Sequence, residues 1–141
     1  MEDMSRSPII TNPSALRELE NIDLARPVGM LNLLKFRPQA LYEPNSTELP
    51  CSGVEAMARY AQGVGPILRE MNAQVILDGV SWLIGDSGEW DRAAVVWYMR
   101  GADIVDLGKD PRYLSFVHHR TAALSDSRLL MMVFPDNPAL S

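Results

Sequence analysis

Few side chains in this chain of 141 residues could carry chemistry, and Arg120 leads them. On a helical wheel it falls among Tyr113, Phe116, Val117 and Leu124, near the middle of an apolar stripe. A guanidinium there must be paired or face a cavity, because an unpaired buried charge costs about 3–5 kcal/mol. Arg120 is therefore either a clamp for the carboxylate or enolate of a small ligand, or half of a structural ion pair with Asp126, Asp91 or Glu89. His118 and His119 flank the stripe on opposite sides, either as a general base near neutral pH or as surface and capping residues. His119 is also placed to point at a long loop over 37–50. Two adjacent histidines on a helix face apart, whereas a helical metal site wants i, i+4 spacing, so no metal is expected. Axial haem ligation by one of them is the weakest reading, and no cofactor is expected.

Asn32 is the only uncharged polar side chain in its apolar run, so it either orients a ligand oxygen or bridges to a neighbouring strand. Trp82, Trp97, Tyr60 and Tyr113, with Trp90 and Tyr98, supply rings either for stacking a planar ligand or for the core. No Gly-rich phosphate loop, nucleophile elbow or zinc signature occurs. The remaining chemistry needs only a pocket, one base and one cation: enolisation, isomerisation, cyclisation or oxygenation without a cofactor.

The elements that must position these residues are legible from pattern. Residues 75–99 read as a hairpin, VILDGVSWLIG and DRAAVVWYM split by DSGEW. Residues 28–36, VGMLNLLKF, form a strand apolar on both faces, which must be covered on both. Ser52-Gly53-Val54-Glu55 is a capping box for a helix reaching Met71, with Val54, Met57, Ala61, Val64, Leu68 and Met71 as its stripe. Pro66 should kink it. A short helix over 101–109, a helix over 110–124 capped by Asp110-Pro111, and a strand over 126–134 follow. The loop over 37–50 holds three prolines and no period, the kind of loop that lies over a site or a dimer seam.

The order strand, helix, strand, strand, helix, strand points to an α+β, ferredoxin-like antiparallel sheet with helices on one face. Residues 26–135 make this domain, after an arm with a short helix over 1–25 and before a tail over 136–141. The other face is apolar, the chain is short of helices to cover it, and a second copy is the natural cover, so a homodimer is expected.

Composition narrows the partners. Apolar residues are 47% and charged residues 22%, and a net charge of -5 with no basic run argues against nucleic acid. A single cysteine, Cys51, fits the reducing cytoplasm. The first residues lack an apolar stretch of signal-peptide length, and no run approaches about 18 apolar residues, so no membrane partner is expected.

Four stretches go further: MLNLLKFR (30–37), SGVEAMARYAQ (52–62), IGDSGEWDR (84–92) and DPRYLSFVHHRTAALSDSRLL (110–130). In these the chain resembles the family called domain of unknown function 1330, in its long form. The resemblance implies a dimeric α+β barrel, two ferredoxin-like sheets packed bare face to bare face. The chain departs from the pattern at Asn72-Ala73 in place of Gly-Gly, at Met99-Arg100-Gly101 in place of Tyr-Pro-Ser, and at Met57 in place of tyrosine. Quinol monooxygenases, muconolactone-isomerase-like enzymes, polyketide cyclases and haem-binding proteins share the fold, and fold does not fix function among them. The expectation is a small enzyme for a hydrophobic, carbonyl-bearing molecule, with Arg120 holding an anion, a histidine moving a proton, and Asn32 with a tryptophan orienting the ring. The alternative is a non-catalytic dimer that binds a small ligand or a protein through the 37–50 loop.

Overall fold

The computed structural model describes Arg17 and residues 19–137. The short helix expected over 15–20 falls largely outside them, beyond a 3-10 turn at Leu19–Asn21. The last residues of the expected tail fall outside as well.

Strand β1, Val28–Phe36, is the centre of the molecule. Helix α1, Gly53–Glu70, leads to β2, Gln74–Asp78, and β3, Arg92–Tyr98. Three short helices follow, α2 (Gly101–Leu107), α3 (Pro111–Leu114) and α4 (Val117–Ala123), then β4, Leu124–Val133. The sheet order is β2-β3-β1-β4, and β1 is antiparallel to both its neighbours, as β2 is to β3. This is the α+β, ferredoxin-like arrangement that the element order predicts.

Alternation along β1 sorts the faces. Val28, Met30 and Leu34 are buried toward the helices. Leu31 and Leu33 point to the other face with their register partners Val95, Leu130 and Ala93. There Leu77, Leu130 and Met132 stand 66%, 46% and 52% exposed.

Helix α1 starts at its predicted cap, where the Ser52 hydroxyl accepts from the Glu55 N–H at 3.1 Å. The helix continues through Pro66 to Glu70. Its buried arc is Ala56, Met57, Val64 and Ile67, while Val54 and Ala61 from the expected stripe are exposed. The arc is turned because α1 packs on α4 as well as on the sheet.

Two other expectations are corrected. The first strand of the hairpin ends at Asp78, and residues 79–91 are a loop in which Leu83 and Ile84 are 93% exposed. Gly79, at φ 94, takes the chain out of the strand. The residues ahead of β3 have partners of their own: the Gly88 N–H donates to Asp86 Oδ1 at 2.8 Å, and Asp91 is hooked to the end of β1 by two bonds of 2.8 Å. They offer no ladder for a longer β2. The helix expected over 110–124 is broken at 115–116, after α3. Phe116 turns in against Gly63, so close that a Cβ on that glycine would overlap its ring.

The core under the helices has two parts. One joins Val28, Met30, Ile67, Ala73, Tyr98 and Leu107. The other joins Leu34, Cys51, Ala56, Met57, Ala123 and Leu124. Among the described residues no helix is long and apolar enough to cross a membrane.

Candidate functional site

The helix layer does not close evenly over the sheet. Met30 and Leu34 are each 6% exposed, yet Asn32, between them on the same face, is only half-buried. Its register partner on β4, Leu129, is 57% exposed. This open row separates the two parts of the core. Tyr60 of α1 packs on the Leu34 side and Tyr113 of α3 on the Met30 side, and their rings meet edge to face with centroids 6.2 Å apart.

Burial first, then the neighbouring Tyr113, holds the Tyr60 phenol far above its usual range, while the charge of Arg120 pulls it the other way. Burial, followed by Tyr113 and Asp103, likewise raises Tyr98. Burial thus keeps the phenols of Tyr60 and Tyr98 neutral, and the Arg120 guanidinium lies within electrostatic reach of Tyr60. Arg120 is half-buried, as its place on the stripe implies. Elsewhere Asp126 pairs with Arg128 at 2.6 Å and Asp91 with Lys35 at 3.4 Å. The Asn32 amide donates to the Met30 carbonyl at 3.2 Å within its own strand.

The histidines lie in a second cluster, and here the sequence expectation is overturned. Their rings do not face apart: the centroids are 4.0 Å from each other with planes 36° apart. Both Nε2 atoms address Glu48 Oε1, His118 at 3.1 Å and His119 at 3.8 Å. The helix is only seven residues long and ends at once in a strand, so wheel geometry does not hold the two side chains on separate faces. Tyr42 Oη lies 2.7 Å from His119 Nδ1, and Arg59 Nη1 donates to the same oxygen at 3.2 Å. Arg59 also reaches the Leu49 carbonyl at 3.0 Å and Glu48 Oε2 at 3.8 Å. His119 is buried; that burial, then His118, lowers its affinity for a proton, and Glu48 opposes them. His118 draws the Glu48 carboxyl below its ordinary value.

The loop over 37–50 builds this cluster, as its length suggested. Its start is tied to α4 by Arg37 N–H to the Ala123 carbonyl at 2.8 Å and Leu41 N–H to the Ala122 carbonyl at 2.9 Å. Tyr42, Glu48 and Arg59 were not legible as site residues; the signal was a long loop opposite His119. Tryptophan placement also differs from expectation. Trp97 pairs with Gly29 and so shares the open face with Leu31, on the far side of the sheet from Asn32 and Arg120. Trp82 lies in the 79–91 loop, and Trp90 carries the Arg128 guanidinium 5.1 Å above its ring.

No family model and no curated protein matches the chain. Among solved structures, that of methylated RPA0582 protein is 31% identical with a TM-score of 0.79, over 94% of this chain and 99% of that one. A second structure, of the RPA0582 protein of unknown function from Rhodopseudomonas palustris, is 32% identical with a TM-score of 0.77, over 90% and 95%. A dimeric protein of unknown function and ferredoxin-like fold from Bacteroides fragilis is 13% identical with a TM-score of 0.49, over 77% and 96%.

Proposed function

The chain belongs to the family of the RPA0582 protein of Rhodopseudomonas palustris, and we propose that it is a small enzyme acting on a hydrophobic, carbonyl-bearing molecule in a cleft at Asn32. The observation that carries this reading is the break between the two parts of the core, with half-buried Asn32 between Met30 and Leu34, Tyr60 packed on one part, Tyr113 on the other, and the two rings in edge-to-face contact. An apolar cleft with a few convergent polar groups is what a small-molecule site requires.

A substrate carbonyl in the cleft gains negative charge as it enolises or is attacked. Arg120 supplies a permanent positive charge against it. Tyr60, whose burial disfavours the charged phenolate, keeps its proton and donates a hydrogen bond where that charge develops. Asn32 fixes the orientation of a second oxygen. These groups suit isomerisation or ring closure through an enolate-like transition state, with the proton that is lost passing to solvent water, which reaches the row at Asn32 and Leu129. The role first given to a histidine is not retained, since His118 and His119 are committed to Glu48 and Tyr42.

The test is turnover of a panel of enols, enol lactones and quinols by the wild type, Tyr60→Phe and Arg120→Ala. Loss of one oxyanion donor is expected to lower kcat by about 10²-fold. Equal rates in all three proteins would remove both residues from the mechanism. Saturable binding of a panel member without turnover would favour a ligand-binding module.

We further propose that two copies pair through the open sheet face, that the family is the long form of domain of unknown function 1330, and that the protein is cytoplasmic. The first is supported by Leu77, Leu130 and Met132, which make that face apolar and exposed in a single subunit. The second is supported by the four sequence stretches quoted above. The third is supported by the lone Cys51, buried and free.

A further inference from the structure

The histidine cluster is left over from the proposed reaction, and its geometry has a use of its own. The chain has only two histidines, and both belong to this cluster. One ligand atom from each of Glu48, His118 and His119 lies within 4.8 Å of the other two. A tetrahedral ion with bonds of about 2.0–2.1 Å separates its ligand atoms by about 3.3 Å. The observed Nε2 to Oε1 separations, 3.1 Å and 3.8 Å, bracket that value.

The surroundings of the three side chains are those of a supported metal site. Tyr42 Oη sits 2.7 Å from Nδ1 of His119, which turns the other nitrogen of that ring toward Glu48. A ligating histidine commonly has its second nitrogen held in this way. Arg59 approaches Oε2 of Glu48, at 3.8 Å, while the histidines address Oε1, so the carboxylate is steadied from the side that faces away from them. The Ser46 hydroxyl accepts from the Glu48 N–H at 3.1 Å and ties the backbone that carries the carboxylate. His119 is 8% exposed, whereas the His118 side chain is 44% exposed and leaves a path for an ion and a water molecule.

We propose that Nε2 of His118, Nε2 of His119 and Oε1 of Glu48 bind one divalent transition-metal ion of the zinc type, with solvent in the fourth position. Two imidazoles and one carboxylate favour Zn2+, Co2+, Ni2+ or Cu2+ over the hard cations Mg2+ and Ca2+. The site is distinct from the cleft at Asn32: the metal site uses the loop side of α4, and the cleft uses Tyr60, Tyr113 and Arg120. The guanidinium of Arg59 repels a cation, so the affinity is that of an exchangeable site, stripped by a chelator, rather than that of a zinc finger.

The experiment is titration of the untagged full chain, first treated with a chelator, with Co2+. Visible d–d absorption reports coordination, and the two histidine ring signals in the proton NMR spectrum report the ligands under Zn2+. The expected result is one ion per chain, with absorption in the tetrahedral or five-coordinate range and both histidine signals shifted. His118→Ala and Glu48→Gln should each weaken binding by at least about 10-fold, and Tyr42→Phe by about 10-fold or more through the loss of its hold on His119. Circular dichroism of each variant checks that it is folded. No binding by the wild type overturns the proposal, and so does binding that His118→Ala and Glu48→Gln, both folded, leave unchanged. Turnover in the cleft is not the readout, so failure here leaves the proposed reaction standing, and the reverse also holds.

Discussion

Tyr60 holds its proton because ionising it would leave a charge among apolar side chains. Replacing it with phenylalanine keeps the ring, its packing on Leu34 and its contact with Tyr113, and removes only the hydroxyl. The kinetic loss expected for Tyr60→Phe is therefore chemical rather than structural, and an unchanged denaturation midpoint in the same preparation checks that. Gly63 is a residue of the opposite kind, needed for what it lacks. Phe116 occupies the space that a Cβ would take, and the ring is wedged where the helical segment breaks. Gly63→Ala is expected to destabilise the protein by about 1–3 kcal/mol, the usual cost of overpacking. Urea denaturation measures it, and an unchanged midpoint would mean that Phe116 moves aside freely.

At the scale of elements, end-effects decide where strands and helices stop. Ser52 begins α1 by taking up an N–H that the helix cannot satisfy itself. Ser52→Ala should cost about 1 kcal/mol, read from the same urea curves. Strand β2 ends at a fork in which Arg92 holds Asp78 through two bonds, of 3.0 Å and 2.8 Å. That contact lowers the carboxyl's affinity for protons relative to the unfolded chain. Its stabilisation is thus full above the unfolded carboxylate value, about 3.9, and is lost as pH falls through the lower folded value. Both side chains are more than 40% exposed, at 43% and 42%, so the contribution stays below about 1 kcal/mol. Asp78→Asn should lower stability slightly at pH 7 and leave it level with the wild type in strong acid. A difference that persists at pH 2 would assign the effect to packing.

At the scale of the whole molecule, the sheet is finished on one side only. Helices α1 to α4 cover the face of Val28, Met30 and Leu34, while on the other face Leu31, Leu33, Val95 and Trp97 are only partly buried beside the exposed Leu77, Leu130 and Met132. Exposed apolar area of this kind is worth about 25 cal/mol per Å² when it is removed from water. Sedimentation should give twice the 15.7 kDa of one chain. Leu130→Asp, at a residue 46% exposed on the edge strand β4 beside Leu31 of that face, should shift the protein to the single-chain mass. A Leu130→Asp protein that sediments with the wild type would place the contact on another surface.

The sequence alone determined the order of elements and the two faces of β1, because alternation and capping are local and the apolar residues of VGMLNLLKF admit one register. It also set Arg120 on an inward stripe, where the structure leaves it half-buried, and set the long loop opposite His119, which Tyr42 of that loop meets. It misjudged what depends on partners far along the chain. Val80, Trp82 and Ile84 alternate like a strand, but no ladder opposes them, and β2 stops at Asp78. His118 and His119 differ by one position on a wheel, but a loop about 70 residues earlier in sequence brings Glu48 and Tyr42 to both rings. Pattern records what each segment can bury; only the folded chain decides which segments meet, since that depends on contacts between residues that no local window contains together.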